Sequence, residues 1–433
     1  MAESWIAHTP QGTVVVRNID GRLVVDLPQA DVFRSPLSPI APIPADFRRH
    51  AGWYAVGGRT ILVTQYPEEY FGEPMLLLAE GDSVTRLYPL ADSTLAGEDG
   101  NRWDLSTMER SAAYAEHELG NGTLIVPAGE GPHPVAVQVH GAAIFSRDFN
   151  RLFAQPFLDA GIGVYVYDKA PEGTIFTHAD AIDAVLGLLS ASPLVDAYRM
   201  GLAGFSNGMW SVPMVAVRRS DVAFIVGMGA PGVSMAGSET HRRTKILRDA
   251  GVSPESVRAV GAAWELVFAI AGTGSATPDQ ADELAKRLSA LTRLPDLHRY
   301  EAPDYVRNNP MLSPIPPSFD ASEVVGFLAG PGDPELNYDP AADYAKATCP
   351  VFLQYGQNDT SVPVTESAAR IGAACPDAVI QVYPGLEHML NVLPAGLPAT
   401  LAETSIGGMH NFRFGDGVRA ALTTWLKVTV SEQ

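Results

Sequence analysis

Residues 199–210 read RMGLAGFSNGMW, and within them Gly204, Ser206 and Gly208 form the pattern G-x-S-x-G. One short apolar run leads into the pattern and another follows it, as where a strand turns sharply into a helix. At such a turn the serine takes a strained backbone conformation, and side chains at the two flanking positions would collide with neighbouring backbone. The pattern therefore predicts a turn that holds the Ser206 hydroxyl exposed at the carboxyl edge of a sheet.

Segments that read as strands and helices alternate on both sides of this turn. Besides the runs that flank Ser206, strands are predicted at 123–127, 134–139, 161–168, 222–228, 351–355 and 378–383, and helices at 149–160, 177–189 and 417–427. Alternation of this kind implies right-handed crossovers and a mainly parallel sheet. The predicted fold class is α/β, with a mostly parallel, doubly wound sheet.

The chain divides into four predicted segments. Residues 1–110, with a hairpin at 12–27, read as a small antiparallel β domain; residues 111–234 and 346–433 read as two parts of the α/β core. Residues 235–345 are rich in helical patterns and prolines, and they separate two predicted sheet strands. An insertion at this place is typical of a helical cap that covers a site and shapes access to it.

Two residues after the insertion are candidates to activate Ser206. A serine hydroxyl is a weak nucleophile unless a histidine takes its proton, and that histidine needs a carboxylate to fix its tautomer. One known arrangement has the chain order serine, acid, histidine. Asp359 and His388 each follow a predicted strand, 29 residues apart (388 − 359), in that order. We therefore predict a catalytic triad of Ser206, Asp359 and His388.

Other residues compete for these roles. His410 is the rival base, but it lies far past the last predicted strand, and Asp333 and Asp339 are rival acids that no strand precedes. Taken alone, Asp359 also fits a turn residue or helix N-cap, and His388 fits a loop histidine. The order of three residues at three strand ends favours the triad over these separate explanations.

The oxyanion of a tetrahedral intermediate needs two backbone N–H donors. Asn207, directly after the serine, is the first candidate, and Ala142 in the turn 140–142 is the second. His140 is interpreted as a support for that turn. The candidate substrate-binding residues are aromatic, although aromatic side chains are more often part of a core: Phe145, Phe205 and Trp210.

Composition excludes several classes of function. With 30 basic and 49 acidic residues, the net charge of −19 argues against binding to nucleic acid or to an anionic membrane surface. Two cysteines give no disulfide framework, and neither a secretory signal nor an apolar run of 18 residues is visible, so we expect a cytoplasmic protein without membrane insertion. Gly161-Ile162-Gly163 lacks the third glycine of a dinucleotide site, and no P-loop or zinc motif occurs; we expect no cofactor and no metal.

The chain resembles bacterial α/β-hydrolases of the serine esterase and acyl-peptidase-like group. The stretches that carry the resemblance are His140-Gly141-Ala142, Arg147-Asp148, Tyr167-Asp168-Lys169 and residues 206–210. The resemblance runs from about residue 115 to the C-terminal end and is weakest in the cap; the stretch before it looks like the small β domain that some relatives carry. Ala170-Pro171 and Met209 depart from the relatives' usual Arg-Gly and Gly, and they bear on substrate class.

The resemblance implies hydrolysis of an acyl bond in a small-molecule substrate, with a homo-oligomer left open. We expect a carboxylic ester or a lactone, because the cap is rich in apolar residues and no charged specificity group is evident. The alternatives are an amidase or peptidase, an acyltransferase with the same triad, and a non-catalytic binding protein built on the fold.

Overall fold

The computed structural model of the protein describes most of the chain. The described residues are 4–9, 12–19, 22–25, 37–39, 41–43, 46–66, 75–91, 93–97, 101–142, 146–170, 172–301, 313–316, 323, 328, 330–392 and 412–431. They form two compact units. The first comprises residues 1–138, 143–171 and 392–427, and the second comprises residues 139–142, 172–391 and 428–433. The two units cut across the four segments predicted from the sequence, and that four-part division stays a prediction.

The strands are β1 (Ser4–Thr9), β2 (Gly12–Ile19), β3 (Arg22–Val25), β4 (Leu37–Pro39), β5 (Gly52–Val56), β6 (Arg59–Tyr66), β7 (Met75–Glu80), β8 (Ser83–Ala91), β9 (Thr94–Gly97), β10 (Arg102–Asp104), β11 (Glu109–Arg110), β12 (Tyr114–Leu119), β13 (Gly122–Pro127), β14 (His133–Val139), β15 (Gly163–Tyr167), β16 (Val195–Phe205), β17 (Val222–Met228), β18 (Val351–Gly356), β19 (Val379–Tyr383) and β20 (Phe412–Arg413). The α-helices are α1 (Arg147–Asn150), α2 (Gln155–Asp159), α3 (Ile175–Ser190), α4 (Gly208–Arg218), α5 (Met235–Asp249), α6 (Pro254–Thr273), α7 (Pro278–Leu291), α8 (Pro295–His298), α9 (Ala341–Tyr344), α10 (Val364–Ala374) and α11 (Val418–Ser431).

The first unit is built mainly from antiparallel sheets, as the sequence predicts for its N-terminal part. One sheet has the order β3-β2-β1-β4, and its β2–β3 pair is the predicted hairpin. A second sheet has the order β10-β9-β8-β7-β6-β5-β11, with β20 paired antiparallel to β8. In the third set of strands β13 lies between β12 and β15 and is antiparallel to both, whereas β14 is parallel to β15.

Residues of two stretches that carry the family resemblance meet in the first unit. Arg147 donates to Asp168 at 2.9 Å from Nε, and its backbone N–H also donates to that carboxylate at 3.0 Å. Arg48 joins this pair to Asp148, whose side chain is fully buried, with Nε 2.9 Å from Asp148 Oδ2. Although burial alone would raise the pKa of Asp168, the hydrogen bonds from Arg147 lower it. These motif residues therefore form one ion-paired network.

The second unit contains the parallel part of the fold. Its strands have the order β16-β17-β18-β19, and all three pairs are parallel. This confirms the α/β class predicted from the alternating segments. Since parallel strands end at the same edge, the residues that follow β16, β17, β18 and β19 come together there. Ser206, Gly229, Asp359 and His388 all lie just beyond one of these strands.

Helices α5, α6 and α7 occupy the predicted cap region. Each begins at a hydroxyl residue whose side chain accepts a backbone N–H of the first turn: Ser234 for α5, Ser253 for α6 and Thr277 for α7. Their apolar faces form one buried cluster that includes Leu247, Val260, Ile270, Leu284 and Leu288. The cap helices therefore have a core of their own.

The prediction of one continuous helix over residues 149–160 is wrong. The structure has α1, a 3-10 turn over Arg151–Phe153, and then α2. Pro156 stands in the first turn of α2 and has no backbone N–H to donate to the preceding turn. The chain therefore starts a new helix there instead of continuing the first.

Candidate active site

Ser206 is held in a strained turn between β16 and α4. Its φ is 49°, and only one other described residue besides the glycines, Leu390, has a positive φ. The Ser206 backbone N–H donates to Met228 O at 2.9 Å, which ties the turn to the end of β17. A Cβ on Gly204 would lie 2.3 Å from Met209 Sδ, so a larger residue there would displace the Met209 side chain; the predicted collision is with a side chain and not with backbone. A conformation that costs about 1–3 kcal/mol persists only where the surroundings enforce it, and such residues cluster at functional sites.

Gly208, the second glycine of the pattern, allows the two segments that carry the candidate oxyanion donors to lie side by side. A Cβ on Gly208 would lie 2.4 Å from His140 O, so α4 begins in direct contact with the turn that follows β14. Asn207 directly precedes Gly208, and Ala142 follows the buried His140 by two residues. Asn207 is also the N-cap of α4, where backbone N–H groups point outward from the helix. Both residues stay predicted as oxyanion donors.

Asp359 and His388 are hydrogen-bonded to each other. The distance between His388 Nδ1 and Asp359 Oδ2 is 2.7 Å, and the aspartate side chain is fully buried. The other carboxylate oxygen, Oδ1, accepts the backbone N–H groups of Ser361 at 2.8 Å and Val362 at 2.9 Å. A buried carboxylate with this many donors is fixed in orientation, so it can hold the imidazole in one tautomer.

The loop that carries His388 is fixed by close backbone contacts. A Cβ on Gly356, the last residue of β18, would lie 2.2 Å from Glu387 O, so only glycine allows the loop to approach the strand end. Leu390 is buried and has a φ of 58°, which closes the turn beyond the histidine. The rings of Phe205 and His388 are 5.0 Å apart, which places the imidazole beside the residue that precedes Ser206.

The contact between the serine and the histidine stays a prediction. Ser206 and His388 both belong to the described part of the chain, and no hydrogen bond joins Ser206 Oγ to the imidazole there. Catalytic hydrogen bonds are often long in unliganded proteins and shorten in the complex with substrate. Phe205, predicted to bind substrate, packs against His388, whereas Phe145 lies outside the described residues.

The rival acids have other partners. Asp333 caps the 3-10 turn Pro334–Asn337 by accepting the backbone N–H of Glu335. Asp339 forms an ion pair with Arg370, with 2.6 Å between Oδ2 and Nη2. The rival base, His410, lies outside the described residues. Among the candidate acids, Asp359 is the one that the structure places against His388.

Gly229 is a site residue that the sequence analysis missed. It follows β17 with a φ of 56°, and a Cβ on it would lie 2.9 Å from His388 Cε1 and 3.0 Å from His388 Nδ1. The same Cβ would lie 3.5 Å from Asp359 Oδ2. The available signal was a glycine directly after the strand that follows the serine helix, at the edge where the site residues collect.

Gly229→Ala is expected to lower kcat by about 10- to 100-fold, because the added methyl group displaces the imidazole from its position. The variant also places a side chain at positive φ, which costs about 1–3 kcal/mol. The matched control is Gly251→Ala, since Gly251 has a φ of 76° and nothing within 4 Å of its added Cβ. Steady-state kinetics and urea unfolding of both variants test this; equal losses of kcat would show that backbone strain alone is responsible.

Two titratable groups that interact with Asp359, His241 and Tyr355, are held in their neutral forms by burial. Burial lowers the pKa of His241 on α5, Arg248 acts in the same direction, and Asp359 opposes them. His241 is therefore neutral at pH 7 and adds no positive charge beside Asp359. Burial raises the pKa of Tyr355 well above its usual value, so this phenol stays protonated and donates to Ala230 O at 2.8 Å.

Trp210, predicted to bind substrate, lies in the core of the second unit. Its side chain is buried, and its indole N–H donates to Val233 O at 3.0 Å. This bond links α4 to the segment that leads into α5. The surroundings favour a structural role for Trp210, and its contact with substrate stays a prediction.

Trp210→Phe is expected to lower the free energy of unfolding by about 1–3 kcal/mol, because it leaves a buried carbonyl unpaired and a small cavity. KM is expected to stay unchanged. Urea unfolding together with ester hydrolysis measures both quantities. A raised KM at unchanged stability would instead establish Trp210 as part of the substrate pocket.

The described residues contain no group of three or more His, Cys, Asp or Glu side chains placed to hold a metal ion. Both cysteines are free thiols, and burial raises the pKa of Cys349 to about 11, so this thiol is not a nucleophile at neutral pH. Within the same residues, no helix is both long and apolar enough to cross a bilayer.

Comparisons with known proteins concern the fold. No protein-family model matches the sequence, and a search of the curated proteins finds no relative. Similar solved structures include 2,6-dihydroxy-pseudo-oxynicotine hydrolase, with 14% identity, a TM-score of 0.39, and coverage of 74% of this chain and 68% of that one. An esterase from Pyrococcus furiosus has 14% identity, a TM-score of 0.39, and coverage of 73% and 91%. Proline iminopeptidase from Mycobacterium smegmatis has 15% identity, a TM-score of 0.39, and coverage of 74% and 99%.

The order of elements in the second unit matches the order expected of an α/β-hydrolase. The strained Ser206 lies between β16 and α4, and Asp359 and His388 follow the parallel strands β18 and β19. The helices of the cap stand between β17 and β18.

Proposed function

We propose that the protein is a serine hydrolase that cleaves a carboxylic ester or a lactone through an acyl-enzyme. The observation that carries the proposal is the 2.7 Å bond between His388 Nδ1 and Asp359 Oδ2, on an imidazole whose ring contacts Phe205 beside the strained Ser206. With Nδ1 bonded to the carboxylate, Nε2 is the nitrogen left to accept a proton. A histidine in this state is what a serine nucleophile needs.

The reaction proceeds in two steps. Ser206 Oγ attacks the carbonyl carbon while His388 Nε2 takes its proton, and Asp359 stabilises the imidazolium that forms. The backbone N–H groups of Asn207 and Ala142 bind the oxyanion. His388 then returns the proton to the leaving alcohol, and water activated by the same histidine releases the acid. For a lactone the alcohol remains part of the product.

The choice of an ester or lactone over an amide rests on the cap. Helices α5 to α7 are packed around an apolar cluster, which agrees with the apolar-rich cap expected from the sequence. Amidase or peptidase activity and acyl transfer use the same triad and remain the alternatives. Function as a binding protein is the least favoured, because a binding protein has no use for the Asp359–His388 pair.

The test combines an activity-based probe with a substrate panel. We expect a fluorophosphonate to label the wild-type protein at Ser206 and short-chain p-nitrophenyl esters to be hydrolysed without added metal or cofactor. A panel of lactones and p-nitroanilides separates the acyl classes, and an added alcohol or amine acceptor detects transfer. If the wild-type protein is neither labelled nor active on any member of the panel, the protein is not a serine hydrolase.

A further inference from the structure

The first unit holds a cavity of about 360 Å³ whose lining is rich in arginine, although the chain as a whole is acidic. Five arginines line it, against three carboxylate residues, whereas the chain has 30 basic and 49 acidic residues. The arginines are Arg48, Arg49, Arg110, Arg147 and Arg151. A cavity of this size, with aromatic walls and a few polar groups, is typical of a small-molecule site.

Three of these arginines are committed to ion pairs. Arg147 binds Asp168 and Glu118, with 2.6 Å between Nη1 and the glutamate. Arg151, nearly fully buried, binds Glu116 at 2.8 Å and approaches Asp148 at 3.6 Å. Arg48 bridges Asp148, at 2.9 Å, and Asp168, at 3.2 Å. Their charges are therefore balanced within the first unit.

Arg110 is different, because its hydrogen bonds go to backbone carbonyls, and the Glu116 carboxylate near it is paired with Arg151 instead. Two of its N–H groups donate at 2.6 Å to backbone carbonyls, those of Ala51 and Arg49. Its guanidinium lies over the ring of Tyr54, 4.6 Å from the centroid. Gly52 leaves space for the Arg110 guanidinium, since a Cβ at this position would lie 2.1 Å from Arg110 Nη1. Arg110 is thus a fixed cation with three N–H donors to spare.

Arg49 is the second available cation. Its side chain is 65% exposed; it forms an ion pair with Asp46, which is also exposed, and its Nε donates to His50 Nε2 at 3.0 Å. An exposed pair of this kind contributes about 0–1 kcal/mol, so a ligand displaces it at small cost. The carbonyl of Arg49 accepts from Arg110, which keeps the two residues adjacent.

We propose that this cavity binds the carboxylate of a small aromatic acid through Arg110 and Arg49. The planar fork of a guanidinium matches a carboxylate and forms two parallel hydrogen bonds with it. Since the other three arginines of the cavity are already paired with carboxylates, two guanidinium groups remain, which suits a ligand with a single carboxylate. Trp53 and Tyr114, whose rings meet edge to face at 5.4 Å, line it as well and suit a flat apolar body. The proposal does not rest on the proposed hydrolase reaction.

Isothermal titration calorimetry of the full-length protein with benzoate tests the proposal. We expect saturable binding with a Kd of about 1 mM or lower, and no binding of the uncharged benzyl alcohol. Arg110→Met and Arg49→Gln are each expected to raise the Kd by about tenfold or more, since each removes hydrogen bonds to a charged group. Arg59→Met is the control, because Arg59 is 58% exposed, pairs with Glu80 and does not line the cavity.

Three results would overturn the proposal. They are the absence of saturable benzoate binding, an unchanged Kd in both cavity variants, and tighter binding of inorganic phosphate than of benzoate. If benzoate also occupies a second site, the cavity variants should remove one of the two binding events. Should Arg110→Met fail to fold, Arg49→Gln decides alone, because its exposed side chain is not needed for packing.

Discussion

Ser206→Ala is expected to lower kcat for p-nitrophenyl esters by about 1,000-fold or more, with KM changed little. The reason is chemical: the methyl group cannot attack the carbonyl, while the groups that bind the substrate remain in place. The residual rate comes from the oxyanion donors and from substrate positioning. Labelling by a fluorophosphonate should disappear entirely, because the probe forms its bond with Oγ.

The control for this variant is Ser289→Ala, which removes an exposed serine hydroxyl on α7. It should keep wild-type kinetics and labelling. Alanine tolerates the φ of 49° no better than serine does, so thermal unfolding of Ser206→Ala should stay close to that of the wild type. Hydrolysis by Ser206→Ala at the wild-type rate would remove Ser206 from the reaction.

The strands and helix starts that depend on short stretches of sequence are largely predictable. Apolar runs of strand length, separated by helical segments, predict the parallel strands β16 to β19, and the structure confirms them. Helices α6 and α7 each begin with a hydroxyl residue at the N-cap, followed by a proline in the first turn. Both features are visible in the sequence and are typical of helix starts. Residues 149–160 were harder to predict, because their apolar content fits a helix while Pro156 interrupts it.

The partnership of Asp359 and His388 is predictable because topology brings it about. Both residues follow parallel strands that are neighbours in the sheet, so their backbones must approach at one edge. The roles of Gly229 and Gly356 were not predictable, since they depend on which atoms lie opposite each Cα after folding. The arginine-lined cavity was not predictable either, because its lining residues lie as far apart in the sequence as Arg48 and Arg151.

Asp359→Asn is expected to lower kcat by about 1,000- to 10,000-fold while leaving the fold intact. In the native protein Oδ1 accepts the backbone N–H groups of Ser361 and Val362, and Oδ2 faces His388 Nδ1. The asparagine oxygen must take the place of Oδ1, because an amide NH2 cannot accept those two bonds. Its NH2 then faces Nδ1 and donates to it.

A donor opposite Nδ1 reverses the tautomer of His388. Nδ1 becomes an acceptor and the ring proton moves to Nε2, which can then no longer take the proton of Ser206. The loss should therefore fall on kcat and on the rate of fluorophosphonate labelling, with little change in KM. Asp339→Asn is the matched control, since Asp339 is the rival acid and pairs with Arg370. If Asp339→Asn lost activity and Asp359→Asn kept it, the acid of the triad would have to be reassigned.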